Sequence, residues 1–161
     1  MTDTVHSLET SRFGSVSYDE KDAIHFAQGI PAFEEKKNWI LLGEEDDPVK
    51  WLQSLDDGNL ALPVSSPFYV DQGYTLDIPG EDADAIGLDR SKPDRTGVLV
   101  VITIPLDSPW EATANMVAPI VVNLDSREAR QIVAIDERYS VWHPVLSAEA
   151  KAAMQGRESQ A

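Results

Sequence analysis

The chain has 161 residues, no cysteine, an apolar content of 42% and a formal charge of −15 from 28 acidic and 13 basic residues. That length and apolar content allow one domain with its own buried core, while the missing cysteine removes a disulfide framework, a thiolate metal site and a cysteine nucleophile and fits a reducing cytoplasm. Phosphate binding needs clustered Lys and Arg, so the acid excess argues against direct contact with nucleic acid or an anionic membrane, and no apolar run approaches the roughly 20 residues of a membrane span.

Residues 1–11 are polar and patternless and are expected to form a flexible terminus. From Phe13, Val16 and Tyr18 alternate with serines, and Ala23–Phe26 follows an acidic turn, so these segments read as an opening hairpin. In Phe26–Glu34 (FAQGIPAFE), Gly29 permits positive φ and Pro31 fixes φ between the anchors Phe26, Ile30 and Phe33, which predicts a structured turn packed on the core. Asn38–Leu42 and Lys50–Leu55 read as strands flanking the acidic loop GEEDDP. Asp56-Asp57-Gly58-Asn59 is a turn, and Leu60–Val64 returns as a strand. Ser66–Tyr69 stays open between a short strand and an edge because of Pro67.

Pro79–Gly87 predicts a two-turn helix, with acids near its N-terminus and a glycine suited to its C-terminal cap. Val98–Ile104, bounded by Gly97 and Pro105, is a strongly β segment. Ile120, Val121 and Val122 are consecutive and β-branched after Pro119, as in a strand covered on both faces, and Arg130–Ile135 returns after a hairpin-length gap. Asp136–Pro144 reads as a turn and a terminal strand, and Ser147–Met154 has an Ala-rich helical bias. Short strands with turns every ten residues or so and little helix indicate an antiparallel barrel or sandwich.

The residues point to no chemistry. His6, His25 and His143 lack metal-motif spacing, and the glycine-rich phosphate and nucleophile-elbow signatures are missing, so neither catalytic residues nor a metal or cofactor are expected. The Asp56-Asp57 pair favours a turn over acid-base work. Trp39, Trp51, Trp110 and Trp142 have no Lys or Arg cluster beside them and are expected in the core rather than as a base-stacking platform.

Three segments together resemble the flagellar assembly factor FliW family: Phe26–Glu34 (FAQGIPAFE), Trp51–Asp57 (WLQSLDD) and Thr113–Val133 (TANMVAPIVVNLDSREARQIV), followed by Arg138–Val145 (RYSVWHPV). Ala27-Gln28 and Ala32 depart from the Pro-Glu and Gly usual in the first motif. Val141-Trp142 stands where a small or basic pair is commoner. The resemblance implies a small antiparallel β-barrel-like domain over residues 12–146 with one or two short helices and a short helical or frayed tail over 147–161. It also implies a cytoplasmic protein, monomeric alone, that binds the RNA-binding translational regulator CsrA and the flagellin it competes with. Antagonism of CsrA would relieve repression of flagellin synthesis, either by RNA mimicry or by coupling from a separate site. An acidic adaptor without these partners and a carboxylate-dependent enzyme are the alternatives.

The partner-binding place is suggested by charge and turn chemistry alone. Between Glu44 and Asp94 there are 13 acids against Lys50, Arg90 and Lys92, and acids in loops are free to meet a basic partner. The candidates are Glu44, Glu45, Asp46 and Asp47, with Asp56 and Asp57, and Gln53 between them as a hydrogen-bonding residue. An apolar contact centred on Phe33, Phe68 or Tyr69 is the competing expectation.

Overall fold

The computed structural model describes residues 5–30, 33–44, 46–89, 91–133 and 139–159. In chain order its elements are β1 (Val5–Thr10), β2 (Gly14–Asp19), β3 (Ile24–Phe26), β4 (Asn38–Leu42), β5 (Val49–Ser54), β6 (Ala61–Ser65), the short helices α1 (Pro67–Val70) and α2 (Gly80–Ala85), β7 (Thr96–Thr103), β8 (Thr113–Ala114), β9 (Ile120–Asn123), β10 (Glu128–Gln131), β11 (His143–Pro144) and the terminal helix α3 (Ala148–Ser159). Among the described residues no helix is long and apolar enough to cross a membrane.

The strands β7-β6-β5-β4-β3-β10-β9 are hydrogen-bonded in that order, and β9 pairs back onto β7, so the sheet closes into a barrel. The expected antiparallel pattern holds except at one seam, where β3 and β10 run parallel through Glu128↔His25 and Ala129↔Phe26. β8 and β11 extend the sheet beyond the C-terminal half of β7. Closure removes sheet edges that would otherwise recruit other chains, although β7 retains an exception.

The barrel interior is filled by Ile24, Phe26, Ile30, Trp39, Leu52, Val64, Ile120, Val122 and Ala129. β9 is buried along its whole length. Ile120 and Val122 face this interior, while Val121 packs outward with Ile86 and Ile132 under α2. That arrangement explains the unbroken apolar run in the sequence. The hairpin with β10 forms in the register Ala129↔Val122, Arg130↔Val121 and Gln131↔Ile120. The second strand is corrected in its bounds: β10 covers Glu128–Gln131 instead of Arg130–Ile135, Ile132 and Val133 follow it outside the ladder, and Ala134 and Ile135 lie outside the described residues. The predicted helix is α2, and Gly87 at φ 66° ends it. Gly87 N–H donates to the Asp84 carbonyl and Leu88 N–H to the Ala83 carbonyl, the reciprocal pair of a glycine-terminated helix. Asn123 locks this end in place: its Nδ2 donates to the carbonyls of Ile86 and Gly87 at 2.8 and 3.0 Å.

Within the N-terminal half the strands β4, β5 and β6 stand close to where they are expected, while the opening hairpin and Ser66–Tyr69 are corrected. Val5–Thr10, expected to be patternless, is β1 and pairs along its whole length with β2. β3 therefore pairs with β4 and β10 rather than forming a hairpin with β2. Pro67–Val70 is helical instead of extended, and Ser66 keeps extended dihedrals as its N-cap. Ser66 Oγ accepts from Phe68 N–H, and Pro67 occupies the first helical position, where its missing N–H is harmless.

Candidate partner-binding surfaces

The β4–β5 loop carries exposed Glu44, Asp46 and Asp47, and Glu45 lies outside the described residues. The loop is shaped from within, since Glu44 N–H donates to Asp47 Oδ2 at 2.9 Å and Asp47 N–H donates to the Glu44 carbonyl at 3.0 Å. Asp47 thus holds the turn while keeping its charge at the surface.

Asp56 and Asp57 sit at the opposite end of β5. Val49 and Ser54 bound that strand, and five residues of strand rise separate them by on the order of 17 Å. The two acidic groups therefore do not form one patch. Asp56 also has a structural duty: its carboxylate accepts from the backbone N–H of Lys37 at 2.8 Å and of Asn38 at 2.9 Å, tying the β5–β6 turn to the start of β4. Burial acts to raise its pKa, but these backbone bonds, the Asn38 side chain and the nearby Lys36 charge outweigh it and hold the carboxyl below its ordinary value. Stability from this group is fully present above the unfolded carboxylate pKa of about 3.9 and is lost as pH falls through the lower folded value. Solvent screens an exposed carboxylate, so Asp56→Ala is expected to cost about 1 kcal/mol in chemical denaturation. An unchanged denaturation midpoint would remove Asp56 from this role. Asp57 Oδ1 accepts from Asn59 N–H at 2.9 Å inside the same turn.

Gln53 is corrected as a contact residue, because it is fully buried. Its Nε2 donates to the carbonyls of Ser54 at 2.9 Å and Leu60 at 3.0 Å, with longer contacts to those of Asp57 and Gly58. The cause is the unforeseen β1–β2 hairpin, which folds over this end of β5. Ser11 N–H donates to the Gly58 carbonyl, the Arg12 guanidinium stacks 4.0 Å from the Trp51 ring centroid, and Phe13 meets Trp51 edge-on. A side chain expected at the rim is therefore an organiser of the turn beneath.

Apolar surface is exposed elsewhere. Phe68 and Tyr69 on α1 are 50% and 52% exposed, whereas Phe33 packs against the core. Of the tryptophans, Trp39 is fully buried but Trp142 is 73% exposed beside β11, so the expectation of four core tryptophans is corrected there. Two of the segments that carry the family resemblance, Phe26–Glu34 and Thr113–Val133, meet at a cleft of about 210 Å³. Gly29 and Glu34 line it from the first motif, Arg130 and Gln131 from the third, and Ile86 from the end of α2. Gly29 stands at φ 70°, and a Cβ there would lie 2.5 Å from the Glu34 backbone. Arg130 is tied to Asp82 of α2 at 2.9 Å. Among the described residues no group of three or more His, Asp or Glu side chains is placed to hold a metal ion.

Residues 7–146 match the sequence profile of the FliW protein family. A flagellar assembly factor FliW of Caldanaerobacter subterraneus subsp. tengcongensis is 37% identical over 141 residues, covering 86% of this chain and 92% of that protein. Another from Pseudothermotoga lettingae is 36% identical over 135 residues, covering 84% and 85%. A crystal structure of the flagellar assembly factor FliW superimposes with a TM-score of 0.79 at 28% identity, covering 88% of this chain and 98% of the other.

Proposed function

The chain belongs to the FliW family of flagellar assembly factors, and on that premise we propose that it is a cytoplasmic antagonist of the translational regulator CsrA that also binds flagellin as a competing partner. The observation that carries this reading is the charge of the surface. An acid excess concentrated between Glu44 and Asp94, with Glu44, Asp46 and Asp47 held outward on a self-braced loop, complements a basic RNA-binding protein and raises its rate of encounter. Free chain would sequester CsrA, and newly made flagellin would displace it. Tagged protein is expected to retain both CsrA and flagellin in a pull-down from its own host, with added flagellin releasing CsrA. Retention of neither leaves the adaptor alternative in its place.

Neutralising the loop separates steering from contact. Asp47→Asn keeps an oxygen for Glu44 N–H, so the double variant Asp46→Asn, Asp47→Asn retains the loop's shape. It is expected to slow association with CsrA by roughly three- to tenfold at low salt and to flatten the salt dependence, while dissociation and thermal stability stay nearly constant. Stopped-flow association at two salt concentrations reads this directly, and an unchanged on-rate eliminates the loop as the docking site. The exposed rings of Phe68 and Tyr69 favour a second reading, in which the contact is apolar and a change to Ala acts through the off-rate.

A further inference from the structure

Strand β7 leaves half of one edge unpaired. β9 runs beside Thr96–Leu99 on one side, but on the other side β6 pairs only through Val64↔Val101 and Ser65↔Val100 before the chain turns into α1. The Arg95 carbonyl accepts from Leu124 N–H and the Val101 carbonyl from Asn115 N–H, so the odd-numbered residues direct their main-chain groups toward β9 and β8. Alternation then directs those of Thr96 and Val98 toward the side that β6 has left. Thr96 N–H is taken by the Pro93 carbonyl in the preceding 3-10 turn. The Thr96 carbonyl and both main-chain groups of Val98 have no partner on that side among the described residues.

Two hollows flank this edge. Val98 faces outward with its register partner Val121, and on that face a groove of about 410 Å³ is lined by Phe68, Leu76, Ile78 and Leu88 together with Thr96 and Val98. Leu99 packs against the barrel interior, and on that side a cleft of about 200 Å³ is lined by Leu41, Leu99 and Tyr69 together with the oppositely charged Asp47 and Lys50. Exposed Asp77, Glu81, Asp84, Asp89 and Asp94 stand on the segments that form the outer groove. Arg95 is engaged by Asp125 at 2.6 Å.

We propose that this edge binds an extended segment of another protein, which adds beside Thr96–Val98 as an extra strand, seats alternate apolar side chains in the outer groove and the inner cleft, and carries Lys or Arg on its flanks. Main-chain bonding supplies affinity and the paired hollows supply side-chain selection. A helix laid in the outer groove would match its apolar lining, but it would cover the Val98 N–H and C=O without bonding them, which is unfavourable. The site stands whether or not CsrA or flagellin supplies the segment.

The probe is a fluorescein-labelled peptide, Lys-Lys-Thr-Val-Ile-Val-Thr-Lys-Lys, whose central apolar residues point to both faces of the strand, titrated against the full chain by anisotropy, with amide shifts read by NMR. Saturable binding below about 1 mM with a shifted, exchange-protected Val98 amide is expected. Methylating alternate peptide nitrogens on the bonding edge should weaken binding at least tenfold without touching the protein. Tyr69→Ala, at an exposed position, should weaken it several-fold with an unchanged melting temperature, and Phe68→Ala should weaken it as much with a small fall in melting temperature from the lost edge-on contact with Tyr74. Equal binding of the methylated peptide, equal or tighter binding of a Leu/Lys amphipathic helical peptide, absence of saturable binding, or shifts confined to other surfaces would overturn the proposal. So would a Val98 shift that appears with protein concentration alone, which would assign the edge to a second copy of the chain.

Discussion

Trp39→Ala is expected to lower the melting temperature by on the order of 10 °C, whereas Trp51→Ala lowers it by less than half as much. Trp39 is fully buried on β4. It meets Phe26 of β3 edge-on, with centroids 6.4 Å apart at 71°, and its Nε1 donates to the Lys36 carbonyl at 2.8 Å. Truncation removes the largest side chain of the barrel interior and leaves a cavity, at a cost of about 3–5 kcal/mol, and it strips the Lys36 carbonyl of its donor for about 1 kcal/mol more. For a domain of this size each kcal/mol shifts the midpoint by roughly 2–4 °C. Trp51 is only half-buried, between Phe13 and the Arg12 guanidinium, so its loss opens no sealed cavity. Trp39→Phe should recover most of the difference. Equal shifts for the two alanine variants, by circular dichroism on heating, would contradict the assignment of Trp39 to the core.

The barrel was legible where local signals and burial agree. Ile120–Val122 is buried throughout, and within the segments read as Val98–Ile104 and Asn38–Leu42 the β-branched or aromatic residues Val100, Ile102, Trp39 and Ile40 are buried, although β7 ends at Thr103 and Ile104 is exposed. Gly87 did announce the end of α2. The family motifs are mostly structural: Phe26, Ile30, Ile120 and Ala129 lie in the core, and Asn123 braces α2. Such motifs reveal fold and family while saying little about where a partner docks.

What was not legible depends on pairing at long sequence separation. Val5–Thr10 has little apolar surface of its own, and five of its six residues remain partly or fully exposed. It becomes a strand because β2 pairs with it and because Ser11 and Glu9 lie on the Gly58 turn. The same docking buries Gln53, and no local pattern signals that. Asp56 and Asp57 join Glu44, Glu45, Asp46 and Asp47 as candidates because all are acids in loops, a criterion that carries no information on where the loops lie. A strand between two groups places them at opposite ends of itself. Phe68-Tyr69 was undecided because a proline that excludes a central strand equally suits the first turn of a helix.

Replacing Gln53 by Glu gives the sharpest consequence of that burial. The Gln53 amide nitrogen is surrounded by four carbonyl oxygens, which fixes the side-chain orientation: the nitrogen must face them. Its Oε1 is buried without a hydrogen-bond partner. A carboxylate there has no proton to offer those carbonyls and cannot reach water, so Gln53→Glu is expected to cost about 3–5 kcal/mol at neutral pH. Gln53→Met, of similar length and without charge, should cost about 2 kcal/mol through the lost donors alone. The two differ in pH dependence. Burial raises the folded pKa of the new acid above its unfolded value of about 4.3, so the penalty is smallest below that value, grows as pH rises toward the folded pKa, and is complete above it. Relative to the wild-type chain, Gln53→Glu should therefore be less destabilised at about pH 5.5 than at about pH 8, while the Gln53→Met difference stays constant. Urea denaturation at both values reads this. A pH-independent loss equal in the two variants would show that Gln53 is not sealed from solvent, and full stability with slowed CsrA association would return it to the partner surface.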